Sequence, residues 1–210
     1  MSEDIRKFAK SRGVPLLLHF TKADNIASIM EHGIVPVETS ACLGIAALIN
    51  DPYRHDRQRD ATCVSIGFPN HRMFFKYRQD DEAVDWAVLA IKARVLWEKP
   101  CAFCQRNAAD GLVTAIPIED RMTLEAFTAM YEEIAGERSR EEQKLKSFDP
   151  THDQAEVLVF DVIEPEYIVG AAFNSQAAKA EYGPLFGDRE VIKNPKNKGL
   201  FGSRSYSREY

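Results

Sequence analysis

Residues 14–33, VPLLLHFTKADNIASIMEHG, set an apolar run directly against a helical pattern, and the way the two join decides the fold. Leu16, Leu17 and Leu18 show no polar alternation, so they read as a buried strand that ends at His19 and Phe20. A helix follows at once. Thr21 or Asp24 can cap it, Ile26, Ile29 and Met30 form its apolar stripe, and Gly33 supplies the left-handed stop. The junction has no Gly-rich phosphate loop, which excludes both the dinucleotide-binding βαβ unit and the P-loop.

Working outward, residues 3–11 predict a helix stopped by Gly13, and residues 40–60, which lack a sustained period, predict a long loop with a helical turn at 44–49. TCVSIGF (62–68) predicts a strand closed by Pro69-Asn70, HRMFFKYR (71–78) a short helix, and WAVLAIKARVLWEK (86–99) a strand running into a helical turn. Between NAADGLVT (107–114) and SFDPTHDQ (147–154) lies an insertion with one good helix at 123–135 and then an exposed, highly charged segment. AEVLVFDV (155–162), IVGAAF (168–173) and REVIKN (189–194) complete a sheet, with a short helix at 176–181. Strands near both ends with helices between them predict one α+β domain over residues 1–210, built on antiparallel or split sheets.

With 210 residues and 45% hydrophobic content the chain can bury a full core without a second domain. Its first residues are charged and no apolar run approaches a membrane span, so no membrane partner and a cytoplasmic location are expected. Only Cys101 and Cys104 have a metal-like spacing. Cys42 and Cys63 stand alone and the histidines are scattered at 19, 32, 55, 71 and 152, so no metal is expected and the close pair should pack a turn. The net charge of −5 argues against a nucleic-acid coat spread over the surface. Local clusters remain: Arg72, Lys76 and Arg78, and Lys193, Lys196 and Lys198 in the tail, are basic residues interleaved with aromatics such as Phe74, Phe75 and Tyr77. That mixture suits phosphate contact and base stacking, although at least half of the aromatics in MFFKY should face the core. An ordinary solvated surface with a fraying basic tail over 194–210 has the same composition.

In DQAEVLVFDV (153–162), Glu156 stands at the mouth of a buried strand formed by Val157, Leu158, Val159 and Phe160. An ionised carboxylate there loses solvation unless a cation or hydrogen-bond donors meet it. It either faces solvent or serves as a catalytic acid.

LLHFTKADNIASIMEHGIVP, NDPYRHD, CVSIGFPNHRMFFKYR, CQRNAA and QAEVLV, in this order and spacing, resemble the DarT family, toxins of bacterial toxin–antitoxin systems that ADP-ribosylate bases in single-stranded DNA. The resemblance covers Leu16 to about Ile192. It implies a split β-sheet core with flanking helices and a long inserted substrate loop, and NAD as co-substrate. Glu156 in QAE then matches the catalytic glutamate, a carboxylate placed to stabilise an oxocarbenium-like centre and to deprotonate the acceptor. His19, Phe20 and Thr21 match an NAD-contacting strand end, and Ser28 falls on the helix facing the nucleotide. Arg54 in DPYRHD matches an arginine used in both catalysis and NAD binding, within a covering loop at about 39–57; Arg57 or Arg59 takes its place if the loop registers differently. The insertion at about 118–156 would present the base, with His152, Asp153 and Gln154 in its floor. Thymine and guanine both remain open as the modified base. The implied partners are single-stranded DNA and an antitoxin that hydrolyses ADP-ribosyl-DNA, and a monomer is expected. A transferase acting on protein or RNA, or a silent nucleotide-binding module of the same fold, is the alternative.

Overall fold

The computed structural model describes residues 2–45, 56, 58–195 and 197–209. Seven strands form one sheet: β1 (Leu16–Lys22), β2 (Thr62–Ile66), β3 (Trp86–Lys92), β4 (Cys101–Cys104), β5 (Glu156–Val159), β6 (Ile168–Phe173) and β7 (Glu190–Lys193). Their order is β4-β5-β2-β1-β3-β6-β7, antiparallel at every step except the last, where β6 and β7 run parallel. The α+β class and the mainly antiparallel pairing match the sequence reading.

Side-chain alternation sends Leu17, Val64, Leu89, Val157 and Phe173 to one face. Helices α1 (Ser2–Arg12), α2 (Ile26–His32) and the 124–131 region cover it through Ile5, Ile26, Ile29, Phe127 and Met130, forming the main core. The opposite face carries two smaller cores. One joins Leu18, Trp86, Val88 and Ala172 to Phe74 of the helix His71–Asp80 and to Phe201. The other joins Ala102, Cys104 and Leu158 to Ala61, Ala108 and Val113. Glu156 precedes Val157 by one residue and so projects to this second face.

Several expectations need correction. β1 continues past Phe20 to Lys22 because it pairs with β3 along its whole length, Lys22 lying opposite Trp86. Thr21 is therefore a strand residue whose hydroxyl accepts from Asn25 Nδ2, and neither it nor Asp24 caps α2, which grows out of a 3₁₀ turn at Ala23–Asn25. Cys101 and Cys104 are the two ends of β4 and not a turn; burial pushes both thiols up to about 12. The helix expected at 123–135 is shortened to Leu124–Ala129, and two further short helices, Gly111–Thr114 and Ile118–Arg121, precede it. Helix Leu124–Ala129 stops where the carbonyl of Met130 turns aside to accept from Thr151 N. Described residues of the basic tail are packed: Phe201 is buried against Phe74, and the helix Arg204–Glu209 buries Arg204. In the span read as a covering loop, Val37–Leu43 is helical; most of the turn expected at 44–49, together with Arg54, Arg57 and Lys196, lies outside the described residues.

Candidate active site

Glu156 is 3% exposed, and three N–H groups converge on it. Asn70 Nδ2 donates to Oε1 at 3.0 Å, while Asn107 Nδ2 and the backbone N of Ala108 donate to Oε2 at 3.1 and 2.9 Å. These bonds fix the plane of the carboxylate and answer the desolvation that its strand position imposes. The Asn70 amide cannot turn over freely. Its Oδ1 accepts from Met73 N as the cap of the helix His71–Asp80, so its Nδ2 is left pointing at Glu156. Asn70 is itself tied to β2 by its backbone N, which donates to Ser65 Oγ. The sequence reading did not single out Asn70, Asn107 or the Ala108 N–H. Both asparagines stand inside stretches it quoted, GFPN and CQRNAA, but a capping or turn asparagine looks no different from one that also reaches across 86 residues.

Glu156 looks into a cleft of about 270 Å³. His19, Phe20, Thr21 and Ser28 line the same cleft, so the structure brings these four predicted residues together with Glu156. His19 Nδ1 lies 2.9 Å from the carbonyl of Cys63, which can only accept, so Nδ1 carries the proton and Nε2 of the neutral ring is an acceptor. Phe20 stacks on Phe74 at 4.6 Å and is therefore partly a packing residue. Thr21 is 2% exposed, which limits it to a structural contact or a single hydroxyl contact at the wall. Of the three arginines weighed for the covering loop, Arg59 lies on the cleft wall and is exposed, and the other two are outside the described residues.

The remaining candidates sit elsewhere. His152 and Asp153 border a separate polar groove with Arg106, Glu137 and Arg204. Gln154 N donates to His152 Nδ1, so the proton of the neutral ring sits on Nε2. Burial pulls the His152 and His71 rings below the ordinary value, and Asp153 partly opposes this in both. Arg72 donates to Asp153 Oδ2 at 2.8 Å, and Lys76 is exposed. Arg78 corrects the reading of it as a free phosphate contact. It donates to the carbonyl of Phe201 and to Asn197 Oδ1 and lies over the Phe74 ring, so it holds the tail. Among the described residues no group of three or more metal-ligating side chains occurs.

The arrangement suits chemistry at a carbon that becomes cationic: a rigid, buried carboxylate at the end of a cleft whose walls offer hydroxyls, an imidazole acceptor and apolar surface. Residues 18–197 match a family described as "ssDNA thymidine ADP-ribosyltransferase, DarT". No curated protein gives a significant match. Among solved structures, DarT of Thermus sp. 2.9 in complex with ADP-ribosylated ssDNA superposes with a TM-score of 0.57 at 16% identity, over 87% of this chain and 95% of that one. The same protein in complex with carba-NAD+ gives 0.56 at 14% identity, over 86% and 95%. DarTG of Thermosipho africanus in complex with ADP-ribose gives 0.55 at 16% identity over 89% of this chain, which spans only 51% of that longer chain. At such identities the superpositions establish a common fold. The family match is what reaches further, since it runs through every residue that grips Glu156, and the chain belongs to the DarT family.

Proposed function

We propose that this protein is an NAD-dependent ADP-ribosyltransferase that links ADP-ribose to a thymidine base in single-stranded DNA and releases nicotinamide. One observation carries the reading: Glu156 is buried, pinned by three N–H donors and aimed into the cleft that also holds His19. The cleft fits the co-substrate by the chemistry of its walls. His19 Nε2 and the Ser28 hydroxyl suit ribose hydroxyls, the Arg59 guanidinium suits a pyrophosphate, and Phe20 and Tyr77 offer ring surface. Arg54 retains its proposed place as the catalytic arginine.

In the reaction the bond between nicotinamide nitrogen and ribose C1′ breaks, its electron pair leaves with nicotinamide, and a base nitrogen bonds to C1′. Positive charge gathers on the ribose as this happens. A fixed carboxylate in a poorly hydrated site stabilises that charge without having to reorganise, and the same carboxylate is proposed to accept the proton the base nitrogen gives up. His152, Gln154, Arg72 and Lys76 are proposed to guide the strand toward the cleft from the neighbouring groove. Toxicity, relief by a partner that hydrolyses ADP-ribosyl-DNA, a cytoplasmic location and a monomeric state complete the proposal. No helix among the described residues is long and apolar enough to cross a membrane.

Incubating the protein with labelled NAD and a thymidine-containing single strand, the same sequence as a duplex, or a cell extract tests this directly. Label should enter the single strand far faster than the duplex, because extruding a paired base costs a few kcal/mol, and transfer should weaken as salt rises. Label in protein or RNA only, with DNA untouched, would replace the acceptor.

A further inference from the structure

A second groove, of about 570 Å³, lies on the outer side of the helix His71–Asp80, where the C-terminal segment folds against it. Its rim carries two large exposed rings, Phe75 at 48% and Tyr206 at 51% exposure, which a monomer has no packing reason to display together. Its charges are all of one sign. Arg72, Arg78 and Lys198 line it and no carboxylate does, although the whole chain has a net charge of −5. Arg78 forms the floor, held by two neutral oxygens, the carbonyl of Phe201 and Oδ1 of Asn197, so its charge is not cancelled there. Lys198 is exposed, and no acidic partner for it occurs among the described residues. Only Arg72 is paired, with Asp153.

The groove shares no lining residue with the cleft of Glu156, but it adjoins the polar groove of His152 and Asp153, with which it shares His71 and Arg72. Its helix begins at Asn70, the residue that grips Glu156, and a rise of about 1.5 Å per residue puts Phe75 roughly 7.5 Å and Arg78 roughly 12 Å further along the axis. A strand that reaches Glu156 by way of the polar groove at Asp153 would bring its next nucleotides to this one at Arg72.

We propose that this groove is a second nucleotide subsite, which takes a nucleotide flanking the modified base, with the base stacked on Phe75 and Tyr206 and the phosphate on Lys198 and Arg72. Exposed ring faces beside uncancelled cations are the chemistry of single-strand binding, and a paired strand could not offer its base face to them. Half of the subsite, from Lys198 to Tyr206, lies beyond the stretch that matches the family, so it belongs to this chain's own C-terminal segment. The inference rests on the DNA reading above.

The test replaces each base flanking the target thymidine, one at a time, with an abasic sugar and measures KM for the oligonucleotide. In the unaltered protein one or two positions should raise KM about tenfold, the size expected for losing one stacked base. In Tyr206→Ala those same positions should lose their effect while the remaining positions keep theirs, and Lys198→Glu should raise KM for every strand. Phe75→Ala provides a second, independent variant should Tyr206→Ala melt early. Abasic penalties unchanged in both ring variants, with the unaltered protein active on DNA, would overturn the subsite alone. No transfer to any DNA by the unaltered protein would overturn the acceptor reading and the subsite with it.

Discussion

Glu156 shows how a single residue can be recognised from sequence while its surroundings cannot. An acid opening an apolar strand is conspicuous, because burial of an unmet carboxylate costs several kcal/mol. What meets it comes from two other parts of the chain, and that changes the experiment to choose. Truncation to alanine would strand the Asn70, Asn107 and Ala108 donors in a buried site, at about 1–3 kcal/mol for an unsatisfied group, so loss of activity and loss of fold would be confounded. Glu156→Gln keeps the shape and one oxygen. Its carbonyl oxygen can serve Asn107 and Ala108, leaving a mismatch only at Asn70 Nδ2, which the capping bond to Met73 N prevents from turning away. Glu156→Gln should therefore fold, losing about 1–2 kcal/mol, and should lose transfer by at least about a hundredfold. Chemical denaturation alongside single-turnover transfer measures both. Transfer within a fewfold of the unaltered rate would remove Glu156 from the chemistry.

At the scale of elements, the helix His71–Asp80 joins the parts of the site. Its cap grips Glu156, its first turn meets Asp153 through Arg72, its buried Phe74 stacks under Phe20, and Arg78 at its end binds the tail. Asn70→Asp separates the two duties of the cap. A carboxylate caps as well as an amide does, so stability should change by less than about 1 kcal/mol from the cap itself, but it sets a second carboxylate against Glu156. Two like charges at hydrogen-bonding distance cannot both ionise cheaply. The pH profile of transfer should shift upward, with activity at neutral pH falling more than stability does; an unaltered profile would mean that Asn70 only caps. The sequence made this helix and six of the seven strands legible, since HRMFFKYR puts Phe74 and Tyr77 inward and those strands are largely β-branched or apolar runs. It did not show where β1 would end, because that is set by pairing with β3, nor that Cys101 and Cys104 bracket an edge strand, because four residues give no periodicity to read. The insertion was least legible. Its charged residues look solvated in sequence, yet Arg140 turns inward to the carbonyls of Lys146 and Asp149 and the hydroxyl of Thr151.

Across the whole molecule, residues 149–152, just ahead of Glu156, are held by side chains from both directions along the chain. Arg140 reaches them from the insertion, and Arg204 reaches from the last helix to the carbonyls of Pro150 and Thr151 at 2.7 and 3.0 Å. The same region gives stability a pH dependence. His71 and His152 have their pKa lowered from 6.5, by burial first and against the pull of Asp153, so below that value the unfolded chain takes up protons before the native one does. Stability should be full above about pH 7 and fall as pH drops through 6.5, and the combined His71→Gln, His152→Gln variant should flatten that slope in thermal melts. The strongest tie is between Arg208 and Asp149. Arg208 Nε and one terminal nitrogen donate to the two oxygens of Asp149, each at 2.7 Å, and Asp149 is fully buried. A frayed tail would make Arg208→Ala neutral. A buried fork makes it costly, because the variant takes both guanidinium donors from a buried carboxylate and leaves it only the Lys146 N–H and the nearby Arg140 and Arg204 charges, a loss of about 3 kcal/mol and a fall in melting temperature of about 10 °C for a chain of this length. Removing both charges as Arg208→Met with Asp149→Asn should recover most of that loss, since the expense lies in the orphaned charge and not in the missing pair. Denaturant unfolding of the two singles and the double measures the coupling, and a loss below about 1 kcal/mol in Arg208→Ala would return the C-terminal helix to the solvent.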